Sequence, residues 1–107
     1  MKKTFISGIL FTSLMFAPTT QTKANDFCDV IDSTAETIMS ARQSGVPMQH
    51  IITVYKENLD DMSAVKEIIL DAYSVPQYRV RENKRNAITE FRNKWYHGCL
   101  QSDFKGE

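Results

Sequence analysis

From residue 25 onward the apolar residues fall on helical stripes. Phe27, Val30, Ile31, Ala35, Ile38 and Met39 are spaced by threes and fours, which predicts a helix from Asp26 to Gln43 with one apolar face. Asp26, Asp29 and Asp32 suit its N-terminal end and Arg42 its last turn, through the helix dipole. Gly45 is placed to take the left-handed conformation that ends a helix. Pro47 can open the next one, because its missing N–H would be unpaired there anyway.

A second helix is predicted from Pro47 to Glu57, with Met48, Ile51, Ile52 and Tyr55 on one face. Asn58, Asp60 and Asp61 read as a turn and N-cap. A third helix then runs from Met62 to Tyr73 with Val65, Ile68, Ile69 and Ala72 inward, and stops at Val75-Pro76. The longest stripe, Val80, Ala87, Ile88, Phe91, Trp95 and Cys99, predicts a main core helix over Glu82 to Leu100. No strand-like alternation competes, so the fold class is all-α, a small bundle of about four helices.

The first 24 residues follow a different pattern. Met1-Lys2-Lys3 is basic, Phe5 to Ala17 is a 13-residue apolar run without a charge, and Thr22-Lys23-Ala24 puts small residues at the −3 and −1 positions of a cleavage site. Residues 1–24 therefore read as a signal peptide and 25–107 as a secreted helical domain. The run is shorter than the roughly 20 residues needed to span a bilayer, so no stable span is expected after cleavage; a retained, weakly apolar anchor is the other reading. The expected location is periplasmic or secreted.

That compartment changes the reading of the two cysteines. In an oxidising space a pair of cysteines is usually a structural bridge, and Cys28 and Cys99 are neither in a Cys-x-x-Cys motif nor numerous enough for a zinc site. A disulfide between them would join the first and last helices if these lie antiparallel. Closing so long a loop is worth about 4 kcal/mol in the chain-entropy model.

Charge adds a further distinction. The formal net charge is zero, but removing Lys2, Lys3 and Lys23 leaves ten basic against thirteen acidic residues. Residues 26–78 carry nine acids and three bases, whereas 79–107 carry four acids and seven bases. Arg79, Arg81, Lys84 and Arg85 crowd the start of the last helix, where the dipole disfavours cations. Two readings stay open: acids of helices one to three neutralise the cluster, or it forms a contact surface for an anionic partner, with Tyr78 beside it as an aromatic contact. Nucleic acid is not the expected partner in this compartment.

Candidate chemistry is sparse. The sequence has two histidines, no Gly-rich phosphate loop, no His-Glu-x-x-His and no nucleophile elbow, so neither catalytic residues nor a cofactor are expected. His50 reads as solvated or capping. His97 lacks the further donors a zinc site needs, and Glu57, Asp60 and Asp61 lack the spacing of a calcium loop. No metal site is expected.

Ala35-Glu36-Thr37-Ile38-Met39, Ala41-Arg42-Gln43-Ser44-Gly45-Val46-Pro47-Met48, Asp71-Ala72-Tyr73 and the closing Phe91, Trp95 and Cys99 resemble a family of short secreted proteins of proteobacteria and their phages. The resemblance covers most of the chain after residue 25. It implies a helical, two-cysteine fold and supplies no activity or site residue. The functional expectation is a small periplasmic binding or regulatory protein that occupies another envelope protein, as a phage-type exclusion or lysis-control factor would. The alternative is a periplasmic stress or chaperone-like helical protein.

Overall fold

The computed structural model describes residues 22–102, with side chains from Asp26 onward. The predicted signal segment lies outside the described residues up to position 21. Four α-helices follow one another: α1 (Thr22–Gln43), α2 (Met48–Asn58), α3 (Ser63–Tyr73) and α4 (Arg81–Ser102), and no strand occurs among the described residues.

Helix α4 lies along α1, and two contacts fix the pair as antiparallel. Cys28, near the start of α1, is bonded to Cys99, near the end of α4, with Cα atoms 5.6 Å apart. At the opposite end the Lys84 ammonium donates to the Gln43 carbonyl. Helices α2 and α3 form a hairpin that packs against α1. The core therefore centres on α1: Ile31, Ala35, Ile38 and Met39 meet Ile51 of α2, Ile68, Ile69 and Ala72 of α3, and Phe91 of α4.

The corner after α1 forms as expected. Gly45 takes φ +88°, and the Val46 N–H donates to the Ala41 carbonyl while the Gly45 N–H donates to that of Arg42. This is the paired Schellman closure of a helix C-terminus, which needs a residue free to adopt positive φ. The Pro47 carbonyl accepts from His50 and Ile51, so α2 starts its ladder there. Pro47 itself has ψ 145° and caps α2 from outside, one position earlier than its expected place within the helix.

Other boundaries shift by similar steps. Helix α1 begins one turn before Asp26, so the acids of 26–32 sit beyond its first turn. Met62 is the N-cap of α3, preceded by Asp61, whose carboxylate accepts from the Ser63 N–H at 3.0 Å and its hydroxyl at 2.7 Å. Three expected stripe members face outward: Phe27 is 46%, Val30 58% and Val80 57% exposed. On α1 the inward line runs through Cys28, Ile31, Ala35 and Met39, which turns Val30 away. Val80 precedes the first turn of α4 and never joins its stripe.

Candidate protein-binding surface

Residues 74–80 link α3 to α4, and α1 holds this linker in place. The Gln43 side chain is buried at 2% exposure. Its amide nitrogen donates to the Pro76 carbonyl at 2.8 Å, and its amide oxygen accepts from the Tyr78 N–H at 2.8 Å. One step earlier, Arg42 Nε donates to the Val75 carbonyl at 2.8 Å, and its guanidinium lies 5.2 Å from the centre of the Tyr73 ring. The Tyr73 hydroxyl donates to the Val46 carbonyl. Three of the four linker residues from Val75 to Tyr78 thus have a backbone group held by a side chain of α1, which leaves the linker little freedom.

The five residues singled out around the α4 start divide accordingly. Lys84 is half-buried and its Nζ donates to the Gln43 carbonyl at 2.5 Å, so it closes the C-terminus of α1. Tyr78 is tied through its backbone, while its ring stays 37% exposed. Arg79, Arg81 and Arg85 are exposed and make no ion pair with any described residue.

Three of the acids on α1 and α3 pair further along α4 instead of with this cluster. Asp32 receives both Arg92 Nε at 3.0 Å and Arg92 Nη2 at 2.8 Å, and Glu36 lies 3.5 Å from the same guanidinium. Asp71 takes Lys94 Nζ at 2.8 Å and Trp95 Nε1 at 2.9 Å. The hydrogen bonds from Arg92 hold the Asp32 carboxyl below the usual carboxylate range. Burial pushes the Tyr73 and Tyr55 hydroxyls up. The cross-helix charge pairs thus use Arg92 and Lys94, two to four turns further along α4 than the cluster.

Among the depressions that flank α4, two adjoin α3 or the linker that follows it. One, of about 480 Å³, lies between the linker and α4 and is lined by Val75, Tyr78, Asn83, Asn86, Glu90 and Phe91 among others. The second, of about 400 Å³, is almost wholly apolar and runs between α3 and the end of α4, past Phe27, Ile31, Ala64, Trp95, Gly98 and Cys99. His50 and His97 are both exposed, and no group of three or more potential ligand side chains gathers among the described residues.

No family model, curated protein or solved structure matches this chain. What this surface can do rests on its own geometry. Its least expected member is Gln43, which the sequence reading treated only as the end of a helix. A signal was present: the inward spacing Ile31, Ala35, Met39 continues four residues on to Gln43, so a polar side chain occupies a core position. Such a group must find buried partners, and the linker backbone supplies them.

Proposed function

We propose that this protein is a small secreted helical binding protein that occupies another protein of the cell envelope, in the manner of a phage-type exclusion or lysis-control factor. The observation that carries this reading is a pinned linker leading into a helix start where Arg79, Arg81 and Arg85 are exposed and form no ion pair among the described residues, Glu82 between them included. Arg81 and Arg85 are four apart on one helical face, where like charges repel, and both stand at a helix start, where the dipole opposes them. Association with an acidic surface relieves both costs. Because Gln43 and Arg42 already order the linker, little conformational entropy is lost on binding. The Cys28–Cys99 bond is compatible with an oxidising compartment, and no helix among the described residues is long and apolar enough to cross a membrane.

A double reversal tests the reading. Arg81→Glu with Arg85→Glu breaks no ion pair and places acids where the dipole favours them, so the melting temperature is expected to hold or rise slightly. A photo-crosslinker at position 78, in cells that secrete the protein, is expected to give a protein adduct. The double reversal should abolish it, and raised salt should weaken it. A large loss of stability in the double variant would show that the cluster serves the fold, and an adduct indifferent to the reversal would remove the arginines from the contact.

A further inference from the structure

The cleft beside Tyr78 has a composition that specifies more than charge. Its floor is apolar: Ala87 is 8% and Phe91 4% exposed, with half-buried Val75 on the linker side. Its α4 rim is polar, because Asn83, Asn86 and Glu90 stand on successive turns of one stripe and are exposed. Their side chains have no hydrogen-bond partner among the described residues. An asparagine amide offers one acceptor and two donors, the complement of a peptide unit's N–H and C=O. Two such amides one turn apart over an apolar floor match the backbone of an extended chain that places a side chain between them.

Dimensions agree with this occupant. The stripe from Asn83 to Lys94 rises about 16 Å at 1.5 Å per residue, the length of roughly five residues of extended chain at 3.3 Å each. The volume of about 480 Å³ falls within the usual range for ligand sites. Charge gives the cleft a direction. Arg79 and Arg81, beyond the lining but in the chain between Tyr78 and Asn83, bring cations unpaired among the described residues to one end, whereas at the other end Glu90 stands on the α4 rim and the lining Lys94 is already paired with Asp71.

We propose that this cleft seats an extended peptide segment of the partner, its backbone held by Asn83 and Asn86. An apolar side chain rests on Val75, Ala87 and Phe91, and an acidic residue lies at the end next to Arg79 and Arg81. Glu90 rejects an acid toward the other end. This assignment rests on the partner-binding reading above and names the part of the partner that is recognised.

The test uses the full, oxidised chain against a displayed library of random heptapeptides, with an array of neutral oligosaccharides in parallel, since sugar hydroxyls also pair with amides. Selected peptides are expected to share an apolar residue with Asp or Glu on one side only. Asn83→Ala with Asn86→Ala should weaken the best of them about tenfold or more, the equivalent of one or two hydrogen bonds. Its melting temperature should hold or rise slightly, since alanine favours a helix over asparagine. Arg81→Glu should turn the selected acid into Lys or Arg. Peptides equally enriched by the double alanine variant, no enrichment, or enrichment of sugars instead would each overturn the assignment. The crosslink at position 78 separates the two proposals: an adduct that needs the arginines but ignores both asparagines leaves the partner reading standing and removes the cleft from it.

Discussion

Gln43 is a single polar side chain that joins two distant parts of the chain, 33 and 35 residues apart in sequence. Replacing it with leucine keeps the volume and leaves the Pro76 carbonyl and Tyr78 N–H without their partner. Because Pro76 and Tyr78 lie near water, part of that loss is recovered by hydration. The expected cost is about 1–3 kcal/mol, read as a lower urea midpoint with unchanged slope. The same variant should loosen residues 74–80 in hydrogen exchange while the α1–α3 core stays protected. Residues such as Gly45, Cys28 and Cys99 were legible in the sequence because each residue type has a narrow physical use. Gln43 and Arg92 were not, because an amide or a guanidinium on a helix is normally solvated. Only the identity of the opposing element shows that either one is committed.

At the scale of elements, the α1–α4 pair is where pH should act. Asp32 is held below the ordinary carboxylate range by Arg92. An acid whose folded pKa is depressed contributes stability that is fully present above its unfolded value and is lost as pH falls through the folded one. Asp32→Asn is therefore expected to melt below the wild type at pH 7, and the gap should close as pH drops beneath the usual carboxylate range. A gap that stays constant into strong acid would assign the effect to packing. Asp61, depressed by its hydrogen bonds from Ser63, stays the same in both proteins and so leaves the comparison intact. Helix number, order and approximate ends were legible because the apolar spacing is regular and Gly45, Pro47 and Pro76 punctuate it. The facing of Phe27, Val30 and Val80 was not, since a broad apolar stripe does not say which edge meets a neighbour. Here α4 contacts α1 along the Cys28 line, and that choice turns Val30 outward.

For the molecule as a whole, the disulfide closes a span of 71 residues that contains nearly all of the core. Cys99→Ser is expected to cost about 2–5 kcal/mol, the usual range for a small secreted domain. It should show as a large fall in melting temperature that reducing agent reproduces in the wild type. A variant that melts like the oxidised parent would mean that α1–α4 packing alone is sufficient. The pairing was legible from compartment and cysteine count, whereas the antiparallel geometry that permits it entered only as a condition of that pairing. The proposed binding surface was legible only as a charge excess. Its rigid backing and the amide-rimmed cleft beside it depend on where the linker lies, and no local pattern encodes that.

The same bond also decides how the protein carries load. Cys28 and Cys99 sit side by side at one end of the helix pair, so both continuations of the chain leave from that end. Tension applied between the two ends passes through the covalent bridge, and the intervening helices lie off the line of force. Pulled in this way the oxidised domain behaves as an inextensible knot in the chain, with its linker face undisturbed. Once the bridge is reduced, the same tension peels α4 away from α1, and the arrangement of the linker against the start of α4 is lost with it.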